Sequence, residues 1–194
     1  MSASDEGFEA TLGAVERVLG VLRGHRVDAV VIGAMALAVH RFPRETEDFD
    51  LAIAVPPAEL HRLAAELRTL GWDVAVRDPD PDDPLGGVVD ILAPGADLIQ
   101  LVNFDNPPAG GFPRLVREAA SSSLPLATNS SLRVADLHTL IAFKLYAGGS
   151  KSNLDILELL ERNQPVDLAV LRDRCESLGL VQNLERVLAL ARNA

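Results

Sequence analysis

Val30–Val55 reads VVIGAMALAVHRFPRETEDFDLAIAV, and the reading of these residues decides the fold. A mostly apolar run, Val27 to Ile32, ends in Gly33, where a strand would stop. Ala34 to His40 has the composition of a short apolar helix, and RFPRET that of a turn. Asp48 and Asp50 then bracket Phe49 at the head of a second apolar run, LAIAV. Side chains alternate along a strand, so aspartates two apart point to one face. Carboxylates placed like this repel each other and are costly to bury. A divalent cation relieves both difficulties, since hard cations take oxygen ligands and magnesium is often held by one or two carboxylates plus substrate phosphates. Gly33 would let the backbone approach a phosphate closely, with the N–H groups of the following helix turned toward it. The stretch therefore predicts a phosphate cradle beside a metal site. The plainer alternative is a polar turn leading into a strand, because D-x-D pairs are common in acidic chains.

The order Gly33, then Arg44-Glu45-Thr46-Glu47-Asp48-Phe49-Asp50, resembles the signature of the DNA polymerase beta-like nucleotidyltransferases. More narrowly, it is similar to the small bacterial minimal and abortive-infection (AbiEii-like) proteins of that superfamily. The resemblance implies that Gly33 and Ala34, with Arg44 and Thr46, hold the triphosphate of an NTP. It implies that Asp48 and Asp50 bind Mg2+ or Mn2+. Arg44 can equally anchor the RFPRET turn. The family cradle usually reads Gly-Ser or Gly-Gly, whereas Gly33-Ala34 keeps the backbone donors and supplies no hydroxyl. On this reading Gly33→Val weakens NTP binding and leaves the fold intact.

The family normally carries a third carboxylate on a later strand. Asp90, flanked by Val89 and Ile91, is the first choice, as catalytic group and third metal ligand; Asp97 is the second. If Gln100 holds the matching position, the third carboxylate is lost, and a binding module moves ahead of an enzyme. Further on, DLHTLIAFKLYAGGSKSNLDILELL also resembles the family, which often has a helix bearing Lys, a glycine turn, a second Lys and an acid. Lys144, Lys151 and Asp155 stand at those places. The residues alone favour an ordinary solvated helix face there; only the resemblance makes Lys144 and Lys151 phosphate ligands.

Around this centre the chain reads as α/β. A helix over residues 8–24 precedes the first strand, and Pro56-Pro57 opens a helix that closes at Gly71. WDVAVRD is a third strand, and VVDIL and DLIQLVNF form a hairpin about Ala93–Ala96. DPDPDDPLGG, residues 78–87, reads as a solvated acidic loop rather than a calcium site. Residues 107–128 are a Gly, Pro and Ser-rich connection with one helical patch, and from Val134 onward the pattern is helical. The class is α/β (α+β): a small mixed nucleotidyltransferase-type sheet flanked by helices, with residues 1–128 as core and 129–194 as a helical region packed on it. His40 reads as a polar surface residue without a role.

With 194 residues and 48% apolar content, a real core is available and wholesale disorder is excluded. The formal net charge of −10 argues against nonspecific coating of nucleic acid, which rests on Lys and Arg neutralising phosphates. Cys175 is the only cysteine, so no intramolecular disulfide or cysteine cluster forms, and a buried structural thiol is expected. No signal peptide or membrane-length apolar run is evident, so the cytoplasm is the default. The functional expectation is a metal-dependent nucleotidyltransferase moving an NMP from an NTP to an RNA (such as tRNA), protein or small-molecule acceptor, within reach of a toxin–antitoxin role with a cognate partner. The alternative is a catalytically impaired binding module of the same fold, an antitoxin or nucleotide sensor.

Overall fold

Short apolar strands that alternate with amphipathic helices bury their sheet by laying helices against it. In the computed structural model, which describes residues 3–46, 48–80, 83–107, 111–127 and 130–192, the strands are β1 (Val30–Val31), β2 (Asp48–Ile53), β3 (Asp73–Arg77), β4 (Val88–Leu92), β5 (Leu98–Asn103), β6 (Leu124–Pro125) and β7 (Arg133–Val134). They form one mixed sheet in the order β3-β4-β5-β2-β1-β7-β6. β2 runs parallel to β5 and β1 parallel to β7; the other pairs are antiparallel. The helices are α1 (Ala3–Gly24), α2 (Gly33–Val39), α3 (Pro57–Arg68), α4 (Pro113–Ser122), α5 (Leu137–Ala147), α6 (Gly149–Arg162), α7 (Leu168–Ser177) and α8 (Val181–Arg192). This is the α/β class the sequence predicts, with the expected hairpin as β4 and β5. Among the described residues no helix is long and apolar enough to cross a membrane.

The sheet has one apolar and one mixed face. Phe49, Leu51 and Ile53 of β2, Ile99 and Leu101 of β5, and Val89 and Ile91 of β4 are all buried. The alternate positions carry Asp48, Asp50, Gln100 and Asp90. Leu60, Leu63 and Leu67 give α3 its buried side at helical spacing. Asn103 ties strand ends together: its amide accepts from Val55 N and donates to the carbonyls of Val55 and Gly86. Asp136 caps α5 by accepting from Thr139 N at 3.0 Å, and Asp167 caps α7 in the same way. Cys175 is fully buried, and desolvation pushes its thiol up to about 11.

Two features depart from the sequence reading. β6 lies in the stretch the sequence reads as a connection, and Val134 of β7 opens the stretch it reads as helical; at two residues each the strands carry no alternation to detect. β7 pairs with β1 beyond the boundary expected at residues 128 and 129, which themselves lie outside the described residues, as do Asp82 of the acidic loop and Glu47 of the turn. His40 is not a surface residue. It is 7% exposed, and its Nε2 is 2.8 Å from the carbonyl of Ala135. The backbone carbonyl of His40 accepts in turn from Asn163 Nδ2 at 2.8 Å. A histidine ending a short apolar helix is satisfied by strands and helices far along the chain, which local sequence does not reveal.

Candidate active site

β2 lies in the middle of the sheet and carries the two aspartates at its N-terminal end. Its neighbour β1 stops at Val31, and the chain turns through Ile32 into α2, so Gly33 comes directly against Asp50. Gly33 has φ +64°, and a Cβ there would fall 1.8 Å from Asp50 Oδ2. Glycine is required twice over: for the left-handed backbone and for the space the carboxylate occupies. The glycine therefore makes room for Asp50 itself, beyond any room it leaves for a ligand.

A cleft of about 1100 Å³ opens over this point. Gly33, Arg44, Thr46, Asp48, Asp50, Lys144 and Lys151 all line it, and so do Glu45, Leu85, Gln100 and Ala147. Ala34 is buried behind the wall at 3% exposure. Thr46 donates its hydroxyl to the Asp48 carboxylate, so it touches the acidic pair directly. Burial, then repulsion from Asp48, pushes the Asp50 carboxyl up to about 6; Lys144, Arg44 and Lys151 pull the other way without cancelling the rise. The two carboxyls thus oppose each other's ionisation on the mixed face of the sheet, at the base of the cleft.

The same cleft has a cationic side with its own counter-ion. Asp155 of α6, 4% exposed, accepts from Lys144 Nζ at 2.6 Å and from Arg44 Nη1 at 3.2 Å. One carboxylate so holds a lysine from α5 and an arginine from the turn before β2. Arg44 is thereby both turn anchor and cleft residue. Lys151, at the start of α6, is exposed. We expect Asp155→Asn to cost about 1.5–3 kcal/mol of stability, the worth of hydrogen bonds to charged groups. It should also weaken the binding of triphosphates more than that of nucleosides; equal weakening of both, by calorimetry, would show that Asp155 does not organise the cationic side.

The third-carboxylate candidates separate clearly. Gln100 is the cross-strand partner of Asp50 on β5, and Asp90 on β4 is the partner of Gln100. Cross-strand partners share a face, so all three stand in a row. Asp90 is held by Arg77, whose Nε and Nη2 donate at 2.7 and 2.9 Å, and by Gln100 Nε2 at 2.6 Å. Gln100 lines the cleft; Asp90 is not among its lining residues. Asp97 lies elsewhere, bonded to Thr11 of α1 through its carboxylate and its backbone N–H. Among the described residues no three His, Cys, Asp or Glu side chains gather as a metal cluster, so a cation here would have two protein carboxylates and would complete its shell with other oxygens. The donor chemistry fits a hard divalent ion: two oxygen anions, one of them reluctant to ionise without a positive neighbour.

No protein-family model matches the chain, and no curated protein does. Among solved structures it is similar to an antigenic nucleotidyltransferase-like protein from Paracoccidioides brasiliensis, at 18% identity over 96% of this chain and 93% of that one, with a TM-score of 0.49. It is similar to ANT(2")-Ia in complex with adenylyl-2"-tobramycin, at 19% identity over 94% of this chain and 98% of that one, with a TM-score of 0.45. A terminal uridylyl transferase 4 from Trypanosoma brucei with bound GTP is matched at 18% identity over 52% of this chain, with a TM-score of 0.36. The chain spans 30% of that protein's length.

Proposed function

We propose that the chain is a metal-dependent nucleotidyltransferase that moves a nucleoside monophosphate from an NTP to an acceptor. The observation carrying this reading is the cleft in which Asp48 and Asp50 face Lys144, Arg44 and Lys151. Asp48 and Asp50 would hold Mg2+ or Mn2+, which supplies charge neutralisation for the attacking and leaving oxygens of an in-line displacement. Lys144 and Arg44, already fixed on Asp155, neutralise the leaving pyrophosphate, and Lys151 adds a mobile charge at the rim. Backbone N–H groups at Gly33 and Ala34 hold the triphosphate. The acceptor oxygen or nitrogen forms a bond to the α-phosphorus and gives up its proton to solvent, as the bond from the α-phosphorus to the bridging oxygen breaks and pyrophosphate leaves. The acceptor is an RNA end, a protein side chain or a small molecule, and a toxin–antitoxin setting with a cognate partner is consistent with the AbiEii-like resemblance. Residues 1–128 would act as the core that carries the acids and 129–194 as the helical region that brings the lysines.

A second reading is a binding module that retains the nucleotide site without transfer, acting as antitoxin or nucleotide sensor. It is favoured by the neutral Gln100 beside Asp50, which meets the condition under which the sequence reading puts the module first, by the Arg77 clamp on Asp90, and by Ala34 in place of a hydroxyl residue. We keep the transferase ahead because the acid pair and the cations around it are retained and an amide oxygen can stand in for a carboxylate on a hard cation. The deciding experiment uses α-labelled NTPs with Mg2+ against tRNA, a panel of small hydroxyl compounds and the protein itself. Transfer supports the enzyme; tight Mg2+–NTP binding without transfer supports the module. In either case metal binding by calorimetry is expected in wild type and absent in Asp48→Asn/Asp50→Asn. Equal metal affinity in both chains removes the site assignment.

A further inference from the structure

In the row Asp50–Gln100–Asp90, the middle residue has an orientation that its neighbours dictate. A carboxylate can only accept hydrogen bonds, and Asp90 already accepts the two-pronged Arg77 clamp. Gln100 must therefore turn its amide nitrogen toward Asp90, which it does at 2.6 Å. Its carbonyl oxygen, for which no partner is found among the described residues, is left on the side of the cleft that Gln100 lines next to Asp50. Were the amide reversed, two N–H groups would face the acids, and any cation they hold would be repelled.

We propose that Gln100 supplies a neutral third oxygen to the cation held by Asp48 and Asp50, and that Asp90 is a positioning residue that fixes the Gln100 amide, braced by Arg77. The proposal deepens the nucleotidyltransferase reading and rests on it for the identity of the cation site. Amide carbonyls are ordinary ligands for hard cations, and carboxylates that orient a ligand from behind tune metal affinity strongly. A neutral third donor also limits the negative charge gathered beside the Asp48–Asp50 pair, which stands on the same strand face. The site then depends on a cation arriving with its own oxygens, as a nucleotide-bound one does.

The test is a double-mutant cycle on the full chain, with Mn2+ alone and Mn2+ with a non-hydrolysable ATP analogue as probes, followed by calorimetry. Gln100→Ala removes the oxygen and should weaken Mn2+ binding by roughly tenfold. Asp90→Asn leaves one acceptor oxygen for the three donors that converge on Asp90; with that oxygen on Arg77 Nε, the new amide group faces Gln100, which then reverses and puts N–H groups into the cleft. Loss of an outer partner of this kind weakens metal binding by roughly 10–100-fold. The signature is that adding Gln100→Ala to Asp90→Asn restores affinity to the level of Gln100→Ala alone. If Asp90→Asn costs as much in the Gln100→Ala background, Asp90 acts directly and the proposal is wrong. If Gln100→Ala leaves Mn2+ affinity unchanged, the third-oxygen role is wrong. Side-chain amide NMR supplies a metal-free readout: the Gln100 NH2 pair should show one strongly downfield, slowly exchanging proton in wild type and lose it in Asp90→Asn, and an unchanged pair overturns the orientation claim. If wild type binds no Mn2+ at all, the cation site fails and the third-oxygen role fails with it. The amide shift would still tell whether Asp90 orients Gln100, so that failure and a failure of the orientation claim remain distinguishable.

Discussion

Asp50→Asn should make the metal-free protein more stable at neutral pH while removing its capacity to hold a cation. Burial and the Asp48 charge raise the Asp50 carboxyl from 3.8 to about 6, so the folded chain binds this proton more tightly than the unfolded chain does. The contribution of this group to stability is therefore fullest below about pH 4, falls as pH rises through the window from about 4 to 6, and stays lower above it. A shift of about two units corresponds to about 3 kcal/mol. In chelator-treated samples at pH 7.5, Asp50→Asn should unfold at higher denaturant than wild type by an amount of that order, and its stability should lose the decline between pH 4 and 6. Matching pH profiles for the two chains would mean that the Asp50 carboxylate is already compensated by its cationic neighbours. The gain in stability and the loss of cation binding would come from the same carboxyl group, the relation expected where a group is kept at a cost in stability.

Gly33→Val is the second large effect, and the structure changes its expected outcome. From the sequence, the substitution was expected to block a phosphate and spare the fold. With φ +64° and a Cβ position 1.8 Å from Asp50 Oδ2, a β-branched residue strains the backbone and drives the carboxylate out of place. The left-handed conformation costs roughly 1–2 kcal/mol and the overpacking roughly another 1–3 kcal/mol. A fall of about 2–5 kcal/mol in unfolding free energy is expected, together with loss of metal binding. An unchanged midpoint in chemical denaturation would show that the Gly33 turn can move aside.

What could be read from sequence here was what is local. Gly33, Asp48 and Asp50 lie within a few residues of a strand end, and alternation alone puts both acids on one face. The strand order that decides between Asp90 and Gln100 is not local. Alternation gives each a face, but β5 inserts between β2 and β4, and only that order puts Gln100 rather than Asp90 beside Asp50. Asp155 was visible only as part of a resemblance. Its partner Arg44 is 111 residues away, and nothing in the helix pattern of α6 says that a buried acid there would gather cations from two other elements. β6 and β7 are too short to show a period, and the burial of His40 depends on Ala135 and Asn163.

The knot at His40 bears on how ready the cleft is before anything binds. α2 has seven residues, too few to be helical by itself in water. It is fixed at its start by the Ile32 N–H bond to Asp50 O, and at its end by His40 with Ala135 and Asn163. A helix anchored at both ends opens only when distant parts of the chain let go together, so its amides should exchange with solvent as slowly as those of the central strands. The ordering entropy of the Gly33 turn is thus spent during folding, and any ligand entering the cleft would meet a turn that need not be assembled on arrival.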